Sequence, residues 1–307
     1  MEHIPVMLNE VTEYLNIKPN GIYIDCTLGR AGHSKEILKR LNENGQLIAF
    51  DQDLVAIEKA MKSFNKDPRI TLIHSNFNKL ENKLNDIGIN QIDGVLIDLG
   101  VSSPQIDNPK RGFSYRNEGK LDMRMNQTQD LDAFKIINEY SQDDLAKYIY
   151  KYGEERKASK IAYLITQARK EEEIKTTLEL ADIIKKAFSP KERQDGHPAR
   201  RTFQAIRILV NQELKALEEV LPQAVNLLKK DGRICVLTFH SLEDRIVKSY
   251  FKSQTGQCTC PPNFPVCVCG KKEILSIPSG QPYYPSKKEV KINSRSRSAK
   301  LRVAIKI

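Results

Sequence analysis

The sequence predicts a doubly wound, Rossmann-like α/β sheet that is interrupted by an inserted helical domain. Five short apolar runs of the kind that form buried strands recur along the chain, with helical stretches between them. The first four are spaced like successive βα units, which indicates a parallel sheet with helices on its faces. These runs are Ile22–Ile24, Gln46–Phe50, Ile70–Ile73, Val95–Ile97 and Arg233–Leu237.

The inserted domain is predicted from the gap between the fourth and fifth runs, which is far too long for one helix. Ser141 with Asp144, and Thr176 with Glu179, have the spacing of capping boxes at helix starts. A chain of 307 residues is long enough for two domains. We therefore expect a helical, substrate-recognising domain over residues 110–195, inserted into a main domain formed by residues 1–109 and 196–307.

Composition and charge limit the class of protein. Hydrophobic residues make up 40% and charged residues 29% of the chain, as in globular proteins. We see neither an apolar run of membrane-spanning length nor a signal-peptide pattern, so we expect a cytoplasmic protein. The net charge is +10, and residues 271–307 carry ten Lys or Arg against two acids. This segment suits either a polyanion such as nucleic acid or a solubilising tail.

Polar residues directly follow the first four apolar runs; they are Asp25, Asp51, Asn76 and Asp98. The carboxyl ends of parallel strands meet at one edge of an open α/β sheet, where such sheets bind ligands. Asp98 is the most informative of the four because it opens a small polar loop, residues 99–105. Gly100 and Pro104 keep that loop from continuing as a strand. The loop is therefore a candidate for close contact with a planar group.

The loop after the first run carries Gly29 and Gly32, before a predicted helix start. A dinucleotide fingerprint requires three glycines, so this pattern argues against a pyrophosphate ligand. Asp51 ends the second run, where an acid binds ribose hydroxyls. Together they favour a nucleoside ligand without phosphates, such as S-adenosylmethionine, over a structural turn. Phe77 fits adenine stacking and core packing equally well.

A helix predicted over residues 198–221 has an apolar face and a polar stripe about a quarter turn away. The apolar face consists of Phe203, Ile206, Val210, Leu214 and Leu217. Arginines on a rigid helix suit phosphate contacts, although a surface helix paired with acids remains an alternative. His240 follows the fifth run, at the same sheet edge as Asp98, and is a candidate for a substrate, RNA or loop contact. Ser241 with Asp244 is predicted to cap the next helix. The stripe consists of Arg200, Gln204, Arg207 and Asn211.

Four cysteines lie close together as two C-x-C pairs, namely Cys258, Cys260, Cys267 and Cys269. Four thiolates on one loop are able to form a tetrahedral zinc site, although C-x₂-C is the usual spacing. Structural zinc and free thiols both remain open, and disulfides are disfavoured in a cytoplasmic protein.

Several longer motifs identify a resemblance that spans residues 3 to 302. Together they resemble the ribosomal RNA small subunit methyltransferase H family, whose members methylate N4 of a decoding-site cytidine in 16S rRNA. These motifs are Thr27–Ser34, Asp98–Gln105, Arg111–Ser114, Leu121–Met125, Tyr152–Arg156, His197–Arg207 and Phe239–Arg245.

This resemblance implies a class I S-adenosylmethionine-dependent methyltransferase that acts on 16S rRNA or the small ribosomal subunit. Asp98 is then the candidate catalytic residue, on the cofactor, on the amine or on both. Many relatives have glycine at Ala31, and we expect alanine to fit wherever φ is negative. The residues that occupy cofactor positions by resemblance are Ala31, Gly32, His33, Asp51, Phe77, Asp98 and Gln105. The candidate RNA contacts are Arg200, Arg201, Arg207, Asn211, His240, Arg295 and Arg297.

Two other functions compete with this interpretation. A nicotinamide dehydrogenase has the same fold, but the incomplete glycine fingerprint disfavours it. An RNA-binding assembly factor that has lost catalysis is disfavoured by the intact Asp51, Asp98 and glycine loop. The sequence does not determine the oligomeric state.

Overall fold

The computed structural model describes residues 5–257 and 272–307. Its strands are β1 Ile22–Asp25, β2 Gln46–Asp51, β3 Ile70–His74, β4 Ile92–Asp98, β5 Leu228–Thr238, β6 Leu275–Ser276 and β7 Lys300–Lys306. Its helices are α1 Leu8–Leu15, α2 Gly32–Arg40, α3 Leu54–Phe64, α4 Leu80–Asn85, α5 Ser103–Asp107, α6 Ala133–Glu139, α7 Gln142–Gly153, α8 Ala158–Glu171, α9 Thr177–Lys185, α10 Ala199–Asn211, α11 Glu213–Leu227, α12 Ser241–Ser253 and α13 Lys287–Ile292.

The chain divides into two compact units, residues 1–100 with 214–307, and residues 101–213. The second unit is inserted between β4 and β5. Its limits lie outside the expected 110–195 at both ends. Residues 101–109, which the prediction assigned to the main domain, form α5 and a turn and cluster with the helical unit. Helix α10, also assigned to the main domain, clusters with the helical unit as well.

The sheet of the first unit confirms the predicted α/β class. Within the described residues it has seven strands in the order β3-β2-β1-β4-β5-β7-β6. Strands β1 to β5 are parallel, and β7 is antiparallel to both β5 and β6. The strand order reverses between β1 and β4, which makes their carboxyl ends a topological switch point, the place where such sheets bind ligands.

Both faces of the sheet are buried, which explains why its strands are continuous apolar runs rather than alternating ones. Ile24, Val95 and Ile97 point to one face and pack with α4, α11 and α12. Tyr23 and Leu96, one residue out of phase, point to the other face and pack with α1 and α2. The sheet is therefore a rigid middle layer that holds its edge residues in place.

The second unit is helical and has a hydrophobic core of its own, formed mainly by α6 to α10. The predicted capping residues are found there: Thr176 and Glu179 form a reciprocal capping box, and the Ser141 hydroxyl accepts from the Asp144 amide. None of the helices in residues 5–257 and 272–307 is long and apolar enough to cross a membrane.

The single helix predicted over 198–221 is wrong. The chain forms α10 and α11, separated by Gln212 with a left-handed φ of 50°. The apolar residues expected on one face, among them Phe203 and Leu217, therefore belong to different helices and to different cores. Periodicity alone missed this break because the two helices are contiguous and only one residue leaves the helical conformation.

Candidate functional site

The loop between β1 and α2 is held in shape by Asp25. One oxygen of this buried carboxylate accepts from the Ser34 hydroxyl at 2.6 Å, and the other from the Thr27 amide at 3.0 Å. Burial raises the pKa of Asp25 above its usual value, and these hydrogen bonds counteract part of that rise. The Thr27 hydroxyl in turn accepts from the Asp98 amide at 2.7 Å. The loop is thereby tied to the end of β4.

The turn that leads into α2 uses left-handed backbone at two positions. Gly29 has φ 51°, and Ala31, the residue before α2, has φ 61°. Alanine was expected to fit where φ is negative, but here it occupies a position of positive φ. Ala31 is nonetheless buried against Leu28, Ala49 and Ile57, so its methyl group contributes packing in a conformation that favours glycine.

Asp51, at the end of β2, shapes the same loop. One of its oxygens accepts from the Gly29 amide at 2.8 Å, and the other from the Asp53 amide at 2.8 Å. Burial raises its pKa to about 6. The carboxylate thus holds the glycine turn, and each oxygen retains a second lone pair. Phe77 lies beyond β3 in a short 3₁₀ turn and is half-buried against the core.

Asp98 ends β4 at the switch point, next to His33 from the first turn of α2. Nε2 of His33 lies 3.7 Å from Oδ2 of Asp98. Oδ1 of Asp98 is buried and has no hydrogen-bond partner among the residues that the structure describes. Burial, followed by the negative charges of Asp25 and Glu243, raises the pKa of Asp98 to about 8. A buried carboxylate oxygen without a donor from the protein is a candidate position for contact with a ligand or an ordered water.

Glu243 is a buried acid whose charge acts on Asp98, and the sequence analysis did not single it out. It is 2% exposed, and its Oε2 accepts from the Phe239 amide at 2.7 Å. His240 caps α12, and its Nε2 lies 3.0 Å from Oε1 of Glu243. The capping pair is therefore His240 with Glu243 and not Ser241 with Asp244. A capping box consists of a capping residue and an acid three residues later. This spacing also occurs one position earlier in the sequence, at His240 and Glu243, where the capping residue is histidine instead of serine.

Asp244 instead anchors the C-terminal strand. Its carboxylate accepts from the Arg302 Nε at 2.6 Å and from the Lys300 ammonium at 2.9 Å. Arg295 and Arg297 lie just before β7 in a 3₁₀ turn and are exposed. Arg295 and Arg297 are thus exposed residues that directly precede an anchored strand, and exposed arginines are able to contact phosphates.

The remaining predicted site residues belong to the second unit. Gln105 is buried and caps α5, where its Oε1 accepts from the Ser102 amide at 2.9 Å. Arg200 and Arg201 are exposed on α10. Arg207 forms a two-pronged ion pair with Glu213, at 2.8 Å for both contacts.

Asn211 does not lie on an exposed stripe. It is 4% exposed, its Oδ1 accepts from the Met125 amide at 2.7 Å, and its amide donates to the Met123 carbonyl at 2.8 Å. The predicted RNA contact at Asn211 is corrected to a structural role, because the segment 123–125 covers its side chain and uses its polar atoms.

The four-cysteine segment lies outside the described residues, so the zinc site stays a prediction. Among the described residues, no group of three or more His, Cys, Asp or Glu is arranged to hold a metal ion. Cys26 and Cys235 are buried core residues, as expected.

Comparison with known proteins decides the family. The profile of the MraW methylase family matches residues 1–307. The chain belongs to this family. It is 51% identical over 306 residues to the ribosomal RNA small subunit methyltransferase H of Clostridium botulinum, covering 100% of this chain and 99% of that protein. It is also 51% identical over 306 residues to the protein of the same name from Caldicellulosiruptor saccharolyticus, with the same coverage.

Family membership makes the chain a methyltransferase, which confirms the enzyme class that the motifs indicate. A solved structure of an rRNA methylase from Streptococcus thermophilus is similar over 100% of this chain and 99% of that one, with 10% identity and a TM-score of 0.45.

Proposed function

We propose that the enzyme transfers a methyl group from S-adenosylmethionine to the N4 amine of a decoding-site cytidine in 16S rRNA. The family and the names of its 51% identical relatives support a ribosomal RNA substrate of the small subunit. The motifs that resemble the family support the cytidine. The reaction then takes place in the cytoplasm.

Asp98 is the observation that carries this proposal. Its buried Oδ1 lacks a hydrogen-bond donor among the described residues. The neighbours that act on this carboxylate are His33, Asp25 and Glu243, and none of the three carries a permanent positive charge. S-adenosylmethionine carries a sulfonium and an ammonium, so a carboxylate with an open oxygen at the switch point fits this ligand. Asp51, His33 and the loop 28–32 would hold the cofactor together with Asp98, and Phe77 would contact the adenine.

S-adenosylmethionine supplies a methyl group on a positively charged sulfur, which makes that group transferable. The exocyclic amine of cytosine is a poor nucleophile because its lone pair is delocalised into the ring. A carboxylate that accepts an N4–H bond returns electron density to the nitrogen and takes up the proton that methylation releases. The pKa of about 8 makes Asp98 a stronger proton acceptor than an ordinary carboxylate, because burial and the neighbouring Asp25 and Glu243 disfavour its charged form.

Positive side chains support the polyanionic substrate. Arg295 and Arg297 are exposed in the first unit, and Arg200 and Arg201 in the second. Arginines of this kind neutralise phosphates, which supplies affinity without sequence information. Specificity for one cytidine therefore requires further contacts to bases.

The test is mass spectrometry of 16S rRNA from cells that lack the protein. We expect N4-methylation of the decoding-site cytidine to disappear, and to return when the wild-type gene but not the Asp98→Ala gene is supplied. Persistence of the mark would refute the assignment. Saturable calorimetric binding of NADH, without binding of S-adenosylmethionine, would instead favour the dehydrogenase. A mark that the Asp98→Ala gene also restores would remove Asp98 from catalysis.

A further inference from the structure

Three tyrosines form a continuous row of rings on the second unit. Tyr148 and Tyr152, one helical turn apart on α7, stack with ring centroids 5.7 Å apart and planes 15° apart. The ring of Tyr140, which precedes α7, lies 6.2 Å from that of Tyr148. All three side chains are half-buried. The protein therefore supports each ring and leaves part of its surface open to solvent. We call Tyr140, Tyr148 and Tyr152 the tyrosine row.

Two lysines accompany this row. The ammonium of Lys147 lies 5.7 Å from the centroid of the Tyr148 ring, and that of Lys151 lies 5.3 Å from the Tyr152 ring. The two Lys-Tyr pairs are four residues apart, so they share one helix face. Both lysines are exposed, and within residues 5–257 and 272–307 neither forms an ion pair with a carboxylate. Their charge is available to a partner.

Hydrogen bonds from the neighbouring helices α8 and α10 fix the backbone at both ends of the tyrosine row. The Arg169 guanidinium donates to the carbonyl of Ile137 at 2.6 Å and also to that of Tyr140, which fixes the start of the row. At the other end, the Gln204 amide of α10 donates to the Tyr152 carbonyl at 3.1 Å. A platform whose backbone is already fixed loses little conformational entropy when a ligand binds.

An exposed arginine extends this surface at its C-terminal end. Arg201 of α10 donates to the Glu154 carbonyl at 3.2 Å, two residues beyond Tyr152. The acids Asp143 and Asp144 lie in the first turn of α7, and the Asp144 carboxylate accepts from the Ser141 hydroxyl at 2.7 Å. The acids within α7 are therefore at the opposite end from Lys151, while the exposed acid Glu154 directly follows the helix next to Arg201.

We propose that the tyrosine row is a binding surface for single-stranded RNA. Bases stack on Tyr148 and Tyr152, while Lys147, Lys151 and Arg201 contact the adjoining phosphates. Stacking on aromatic rings requires bases that are out of a duplex, so single strands bind and helical RNA does not. In the free protein the lysines lie over the rings by cation–π attraction, and they turn to the phosphates when a base replaces them. This inference rests on the proposed RNA substrate and assigns part of its binding to residues of the second unit.

Tyrosine fluorescence provides a direct test, because the chain contains 11 Tyr and no Trp. A titration with poly(U), which has little structure of its own, should quench the emission if bases stack on the row. The Tyr148→Phe,Tyr152→Phe variant keeps both rings, so it should bind poly(U) with little change but show a smaller quench. The Tyr148→Ala and Tyr152→Ala variants should each weaken binding by about tenfold.

Tyr150→Ala is the matched control, because Tyr150 is 65% exposed on the same helix, about 200° round from Tyr148 and Tyr152. Binding by this variant should equal that of the wild type. Lys147→Gln and Lys151→Gln should each reduce the slope of log affinity against log salt by about one. Circular dichroism and thermal melts establish that each variant is folded.

The inference fails if Tyr148→Ala and Tyr152→Ala bind poly(U) like the wild type, or if duplex RNA binds as tightly as poly(U). It also fails if Tyr150→Ala weakens binding as much as Tyr148→Ala, because the loss then belongs to the helix and not to the row. None of these results depends on methyl transfer. A protein that binds poly(U) through the row but leaves cytidine unmethylated would refute the proposed function alone.

Discussion

Nε2 of His33, in the first turn of α2, lies 3.7 Å from Oδ2 of Asp98 at the end of β4. His33 is 6% exposed, so this contact joins a buried imidazole to the carboxylate at the switch point of the sheet. The contact brings the start of α2, the helix that follows β1, next to the end of β4, although the two residues are 65 positions apart in the sequence.

Asp98→Asn should reduce the rate of methyl transfer by about a hundredfold or more, because the amide keeps the size of the side chain but accepts no proton. Affinity for RNA should change by less than about twofold, since the proposed phosphate contacts do not include Asp98. Single-turnover assays with labelled S-adenosylmethionine, with filter binding of RNA, separate the two effects. Asp86→Asn, at an exposed ion pair with Lys83, is the control and should be active. Equal losses of rate and RNA affinity would contradict a catalytic role.

Binding of S-adenosylmethionine should tighten as the pH rises toward the pKa of Asp98, about 8. The cationic cofactor binds the ionised carboxylate, and the fraction of ionised Asp98 increases with pH below that pKa. The gain should approach about tenfold per pH unit well below the pKa and level off above it. Calorimetry from roughly pH 6 to pH 9 measures this dependence.

Asp98→Asn is the control for this pH dependence, and its affinity for the cofactor should vary much less over the same range. S-adenosylhomocysteine, whose sulfur is neutral, should show a shallower dependence with the wild-type enzyme. A flat profile for S-adenosylmethionine with the wild type would show that Asp98 is not the group that the cofactor senses.

Ala31→Gly should change the free energy of unfolding by less than about 1 kcal/mol. Loss of a buried methyl group costs about 0.8 kcal/mol, and release of an alanine from left-handed backbone returns about 1–2 kcal/mol. The gain is offset further by the greater freedom of glycine in the unfolded chain, about 0.4–1 kcal/mol. Urea denaturation measures the difference.

Ala60→Gly is the matched variant, because Ala60 is buried in the same cluster but is helical, within α3. It loses a methyl group and helix propensity together, so it should cost about 2 kcal/mol. If Ala31→Gly is as destabilising as Ala60→Gly, the left-handed conformation of Ala31 carries no strain in solution.

Asn211→Ala should destabilise the protein by about 2 kcal/mol, because the Met125 amide and the Met123 carbonyl lose a buried partner. The salt dependence of RNA binding by the Asn211→Ala variant should equal that of the wild type. Arg200→Gln should behave in the opposite way, with unchanged stability and a salt slope reduced by about one. A reduced slope in a fully stable Asn211→Ala protein would restore the RNA contact that the sequence suggested.

The chemistry at the ends of the strands was predictable from the sequence because it follows from local patterns. Apolar runs placed β1 to β5, and an acid at the end of a buried strand must lie at the sheet edge. Asp51 and Asp98 were therefore located without a structure. The family motifs added the enzyme class, which the comparisons confirm.

The structure differed from the sequence-based predictions at residues whose role depends on the segments that pack against them. Asn211 has the same spacing as the exposed arginines of α10, but residues 123–125 cover it. Asp244 has the sequence spacing of a capping acid, but in the structure it pairs with Lys300 and Arg302, which lie on a strand 56 and 58 positions away. Ala31 gives no sign of its backbone conformation in the sequence, because alanine adopts a positive φ only where the surrounding packing imposes it.

The sequence by itself determined the order of strands along the chain, the acids at their ends and the family. Only the tertiary structure decided that Asp98 lies beside His33, and that burial, Asp25 and Glu243 raise its pKa. It alone also decided that three tyrosines share a surface with two exposed lysines. Strand pattern and motif spacing are properties of neighbours along the chain. Proton affinity and open surface depend on which distant side chains come within a few ångströms, and only packing determines that.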